Sequence, residues 1–159
     1  LVSAGFNDIV VNVHHFADKL ESWIAGQDIM PLHVSNEREM LLETGGAVLH
    51  ARPYLEGCGQ FLIHNVDIFS NADLRWLQTQ TKKEALSTLL VSSRPTRRFL
   101  LFHPQTMRLA GWNNTDTGEH CLIDGSLSVE DCLAYAFSGI HVMSDRVFAL
   151  MTDMCRRRD

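Results

Sequence analysis

The chain has 159 residues, 45% of them apolar and 21% charged, a balance that excludes a disordered chain and can bury a sizeable core. A net charge of −5 gives no support to a nucleic-acid surface, and the terminal run Arg156-Arg157-Arg158 reads as a solvated helix end that complements the helix dipole. No apolar run approaches the length of a membrane span, and no basic-then-apolar leader opens the sequence, so a cytoplasmic protein of one domain is expected.

Cys58, Cys121, Cys132 and Cys155 are widely spaced and form no CxxC pair, which fits reduced thiols rather than a zinc site. His14 and His15 are adjacent. Neighbours on a strand point to opposite faces, so they make a poor pair of metal ligands.

In chain order, Leu1–Phe6 reads as the end of a helix stopped by Gly5. A chain that opens in this way, on Leu rather than Met, is expected to be cut from a longer one. The β-branched run Ile9–Val13 predicts a strand. Phe16, Leu20, Trp23 and Ile24 recur at helical spacing before Gly26, and Pro31–Ser35 predicts a second strand with its proline at the first position. Strand, helix and strand in about 27 residues make a βαβ unit.

Thr44 is placed to cap a helix that begins in Gly45-Gly46, runs to Ala51 and stops at Pro53. Two glycines at a helix start let backbone N–H groups approach an anionic ligand, although an ordinary tight turn has the same composition. Phe61-Leu62-Ile63 is too short for a helix face and suits a strand buried on both sides. Asp67 follows it, where open α/β sheets bind ligands, and its hard oxygens suit a divalent cation. The alternative is that Asp67 caps the next helix, expected over Ala72–Thr81 with Leu74 and Leu77 inward.

Ser87–Ser92 predicts a further strand. Arg98–Phe102 and Met107–Trp112 then read as a hairpin across the four-residue loop 103–106, and Asn113–Gly118 as a polar turn. Tyr135–Val142 is a strand interrupted by Gly139, which marks either a bulge or a close approach of ligand to backbone. Ser144–Met151 closes the chain as a helix capped by Ser144. Arg94, Arg97 and Arg98 beside the hairpin read as a solvated edge.

Glu43-Thr44-Gly45-Gly46, Asn65-Val66-Asp67 and Phe137-Ser138-Gly139-Ile140, in this order, resemble the sugar-1-phosphate nucleotidyltransferases. The likeness is nearest to the mannose-1-phosphate guanylyltransferases and N-acetylmuramate-1-phosphate uridylyltransferases, and it runs from Gly5 to about Met151. It implies a Rossmann-like, three-layer α/β/α (GT-A-like) domain with a mixed sheet. It also implies transfer of a nucleoside monophosphate from a nucleoside triphosphate to a sugar 1-phosphate, with release of pyrophosphate. By the same resemblance Thr44, Gly45, Gly46 and Asn65 contact the nucleotide, Ser138 and Gly139 face the sugar, and Asp67 is the catalytic Mg²⁺ ligand. A homo-oligomer is compatible with this reading, and no nucleic acid or membrane partner is implied.

Two parts of the family pattern do not occur within residues 1–159: a glycine-rich basic loop that wraps the triphosphate, and a later aspartate completing the metal site. Asp145 and Asp153 lack the local pattern of that aspartate. The 159 residues are therefore expected to be an incomplete domain, short at the N-terminus and with its C-terminal end left open, and poorly active or inactive alone. The alternatives are a non-catalytic nucleotide-binding or regulatory domain of the same fold, and an unrelated α/β domain.

Overall fold

A computed structural model describes residues 1–28 and 30–156, without the side chains of residues 152–156. The run Arg156–Arg158 thus lies outside the described side chains. The chain divides into two compact units, residues 1–62, 71–88 and 142–159 in one and residues 63–70 and 89–141 in the other.

The first unit opens on a 3-10 turn, Val2–Ala4, closed by Gly5 at φ 85°. Strand β1 (Ile9–Val13) and strand β2 (Leu32–Asn36) pair in parallel, Ile9 opposite Leu32 and Val13 opposite Asn36, as a βαβ unit requires. Helix α1 (Ala17–Ala25) joins them and ends at Gly26. It buries Ala17 and Ile24, whereas Phe16 and Trp23 are 75% and 60% exposed. Of the four large apolar residues counted at helical spacing, Ile24 is buried, whereas Phe16, Leu20 and Trp23 are exposed.

Helix α2 (Glu43–His50) leads into the single turn α3 (Arg52–Leu55). Pro53 sits in the first turn of α3, where its missing N–H costs nothing, so it starts a turn rather than ending a helix. Strand β3 (Gln60–His64), helix α4 (Leu74–Thr79) and helix α5 (Val147–Arg156) follow. Phe61 of β3 stacks on Phe148 of α5 at 5.7 Å between ring centroids, and both are buried. α5 begins three residues later than expected. Ser144 belongs to the strand before it, where its Oγ accepts from the Arg146 Nε at 3.1 Å.

The second unit is antiparallel. Strand β5 (Arg98–Phe102) pairs with strand β6 (Leu109–Asn114), which pairs with strand β7 (His120–Leu122). The β5–β6 loop is longer than four residues because Met107 adopts φ 55° and the His103 N–H bonds the Arg108 carbonyl at 2.9 Å. Gly111 of β6 faces the β7 backbone so closely that a Cβ there would lie 2.0 Å from the Cys121 carbonyl oxygen.

Strand β8 (Leu133–Ser144) is twelve residues long, and its Leu133–Tyr135 segment pairs antiparallel with β5. The strand order is β3-β8-β5-β6-β7, with β4 (Ser87–Ser92) also paired to β8. The chain passes from one unit to the other inside β3, β4 and β8. Leu101, Phe102, Ala110, Ala136 and Ile140 form the buried apolar centre of the second unit. Parallel and antiparallel pairing are both present, as the α/β reading requires. No helix among the described residues is long and apolar enough to cross a membrane.

His141 ends the β8 segment of this unit, with its ring 5.5 Å from that of Phe137. Its Nδ1 is buried without a hydrogen-bond partner among the described residues, and burial holds its pKa below the ordinary value. The native state therefore binds fewer protons than the unfolded chain, whose histidine titrates near ~6.5. Stability from this residue is complete above that pH and falls as the pH drops through it toward the depressed native value. Unfolding midpoints measured across this window should decline with acid, and His141→Phe should flatten that slope. An unchanged slope in the variant would remove His141 as its cause.

Candidate functional site

In the second unit, two of the three motifs meet through the backbone. The Asn65 N–H donates to the Gly139 carbonyl at 3.0 Å, and the Ile68 N–H returns to the Asn65 carbonyl at 3.2 Å, folding residues 65–68 into a turn. Gly139, at φ 74°, lies against that turn: a Cβ there would stand 2.8 Å from the Ile68 Cγ1 and 3.3 Å from the Asn65 Nδ2. A close approach of chain to chain thus asks for glycine here. Gly139→Ala adds both this contact and a left-handed backbone cost of about 1–2 kcal/mol. Thermal unfolding should register that loss, and an unchanged midpoint would contradict the contact.

Asp67 sits on the exposed outer part of the turn, three residues beyond β3. Its carboxylate makes no hydrogen bond or ion pair among the described residues. The helix that follows is capped by Asp73, whose Oδ1 accepts from the Trp76 N–H at 2.9 Å. The capping alternative for Asp67 is thereby corrected: the cap is supplied six residues later, and α4 is shorter than Ala72–Thr81. No group of three or more His, Cys, Asp or Glu side chains converges among the described residues.

Ser138 lines a cavity of about 390 Å³ within the same unit, together with Ser70, Ser92 and Arg94. The three arginines beside the hairpin are not equivalent. Arg97 pairs with Asp116 at 3.1 Å, Arg98 is exposed at the start of β5, and Arg94 donates from Nη2 to the Phe137 carbonyl at 3.2 Å.

In the first unit, α2 begins at Glu43, and Thr44, Gly45 and Gly46 all lie inside its first turn. Thr44 is therefore not the cap. The cap position is Leu42, without a side-chain bond, and Glu43 takes φ 58°. A Cβ at Gly46 would lie 2.8 Å from the Leu42 Cβ, whereas one at Gly45 would meet nothing within 4 Å. Gly46 is thus required by packing and Gly45 is open to approach.

Sequence reasoning missed the group that holds this turn. Glu37 is only 3% exposed, yet it is charged, so its oxygens need partners. Oε1 accepts from the Asn12 Nδ2 at 2.9 Å and Oε2 from the Leu42 N–H at 3.1 Å, while the His14 Nδ1–H donates to the Glu37 carbonyl at 2.7 Å. The carboxylate ties β1 to the residue before the ETGG turn. Nothing in the polar stretch Asn36–Glu39 marked one of its charges as buried.

Asp145, considered above for the metal, is bound to the backbone instead. Its Oδ2 accepts from the Gly57 and Gly59 N–H groups at 3.1 and 3.0 Å, both glycines having positive φ. Asp153 lies outside the described side chains.

No family model matches the chain. Over 71 residues it is 39% identical to the N-acetylmuramate alpha-1-phosphate uridylyltransferase of Caulobacter vibrioides, a match covering 42% of this chain and 29% of that protein. The crystal structure of HddC from Yersinia pseudotuberculosis superposes with a TM-score of 0.66 at 16% identity, over 92% of this chain and 60% of HddC. The chain thus spans less than a third of the curated relative and under two thirds of HddC, and the second comparison speaks for the fold. The nucleotidyltransferase-like α/β fold agrees with the second match, and the first makes the chain similar, over those 71 residues, to an enzyme of the sugar-1-phosphate nucleotidyltransferase kind that ETGG, NVD and FSGI resemble.

Proposed function

We propose that the protein containing this chain transfers a nucleoside monophosphate from a nucleoside triphosphate to a sugar 1-phosphate. A phosphate oxygen of the sugar attacks the α-phosphorus, a new P–O bond forms, the α–β bridge breaks, and pyrophosphate leaves with the bridging oxygen. No covalent enzyme intermediate is needed. The work is to bring two anions into line and offset their charge. The relative's name, a uridylyltransferase acting on N-acetylmuramate 1-phosphate, supports this reaction class.

The observation that carries the reading is the bond from the Asn65 N–H to the Gly139 carbonyl. It fixes the turn bearing Asp67 against the strand bearing Ser138, so metal and sugar roles fall to neighbouring backbone. In this reading Ser138 and Gly139 border the sugar, Asn65 is assigned to the nucleotide, and the Thr44-Gly45-Gly46 turn is assigned to the nucleoside. The open space at Gly45 suits the nucleoside's approach.

Asp67 fits Mg²⁺: an exposed carboxylate without a protein partner suits an ion that keeps several waters and takes one or two carboxylates plus substrate phosphates. When bound, that ion would neutralise charge on the phosphates. The chain's own contribution is to hold the carboxylate on a turn that Gly139 makes rigid.

The test is pyrophosphate release by the longest native form of the protein, with Mg²⁺, each of the four common nucleoside triphosphates and a panel of sugar 1-phosphates. Release that requires both substrates is expected. Nucleotide binding without any turnover would overturn the transferase reading in favour of a non-catalytic nucleotide-binding domain.

A further inference from the structure

The cavity of about 390 Å³ in the second unit has an uneven chemistry. Ile68 and Leu90 give it apolar walls, Ser70, Ser92 and Ser138 bring hydroxyls, and among the described residues Arg94 is the one charged side chain that lines it. No carboxylate among the described residues lines it to neutralise that arginine. The Ser92 and Ser138 hydroxyls donate to no group among the described residues, so hydrogen-bonding capacity is left over at the wall. Arg94 spends one N–H on the Phe137 carbonyl at 3.2 Å, which anchors the guanidinium beside Ser138, and makes no ion pair among the described residues. A guanidinium has five donors in a planar fork suited to a carboxylate or phosphate.

Apolar walls, hydroxyls and one unpaired cation in this volume suit a ring with polar substituents and one negative group. We propose that this cavity binds an anionic monosaccharide, and that Arg94 selects it by pairing with a carboxylate or phosphate on the sugar. This rests on the sugar-phosphate reading above and adds to it the residue that reads the sugar's charge. It also separates Arg94 from its neighbours, since Arg97 is already paired with Asp116.

The test is equilibrium binding to the native protein without nucleotide or metal, so that it does not depend on turnover. Three probes separate the sources of charge: N-acetylglucosamine (neutral), N-acetylmuramate (carboxylate only) and N-acetylglucosamine 1-phosphate (phosphate only). At least one anionic sugar should bind ~10- to 100-fold tighter than the neutral one, the range of a charge-assisted pair. Which anion wins identifies the group that Arg94 reads. Arg94→Gln should bring the probes to near parity at an unchanged unfolding midpoint, and Arg94→Lys should keep part of the preference. The proposal is overturned if no sugar binds, if the neutral sugar binds as tightly, or if the preference survives in Arg94→Gln. Anion-selective binding without pyrophosphate release would sink the transferase reading and leave Arg94 standing. Turnover indifferent to Arg94→Gln, with no anion preference in binding, would do the reverse.

Discussion

Asp67→Asn should lower Mg²⁺-dependent pyrophosphate release by the longest native protein roughly 10²- to 10³-fold, equivalent to about 3–4 kcal/mol of transition-state stabilisation. The unfolding midpoint should stay where it is. Asn keeps the shape of the side chain and removes its charge, and the Asp67 carboxylate holds nothing within the described protein that the fold could lose. Because Asp73 caps α4, the substitution does not touch the helix start. Unchanged turnover would refute the metal role of Asp67, and a lowered midpoint would reveal a structural task. Raising the Mg²⁺ concentration should recover part of the lost rate if the carboxylate acts through the ion.

The largest stability effect is expected at Gly111, away from the motifs. Its missing side chain admits the β7 backbone, and a methyl group there would stand 2.0 Å from the Cys121 carbonyl oxygen. A flexible side chain could swing aside, but a backbone carbonyl in a ladder cannot without losing its pairing. Gly111→Ala should therefore cost about 3 kcal/mol, at the upper end of overpacking penalties. For a chain of this size that is roughly 6–12 °C in Tm. Amide exchange should show β7 losing protection before the rest of the second unit. A midpoint within a degree or two of the parent would mean that β7 is not held where the register puts it.

These two positions show what the sequence could carry. β1, β4 and β5 are compact, β-branched or apolar runs, and their observed bounds match the expected ones. There the local signal and the fold agree. β7 went unread because His120-Cys121-Leu122 has no strand signature of its own and exists through pairing with β6, which Gly111 permits. α2 was expected to start at a threonine cap, yet it starts at Glu43, because a buried carboxylate 25 residues from its Asn12 partner holds the preceding N–H. Long-range polar bonds of this kind leave no periodicity.

The candidate site divides in the same way. Asp67, Asn65, Ser138 and Gly139 were legible as motifs, and the structure joins the two segments by the bond from Asn65 to Gly139. Gly139 itself was ambiguous in the sequence because a bulge, a ligand contact and a chain crossing all ask for glycine. Arg94 was indistinguishable from Arg97 and Arg98 until their partners were known.

The stacking of Phe61 on Phe148 bears on how the chain is made. The two rings lie in one unit but are separated by 87 positions, and the whole of the second unit's long segment, residues 89–141, is synthesised between them. Asp145 likewise reaches back to Gly57 and Gly59. During translation the second unit has all of its residues once position 141 has emerged, whereas the first unit, though begun earlier, waits for α5. Its βαβ portion emerges first and completes its core last, a delay that closing so long a loop imposes on any chain.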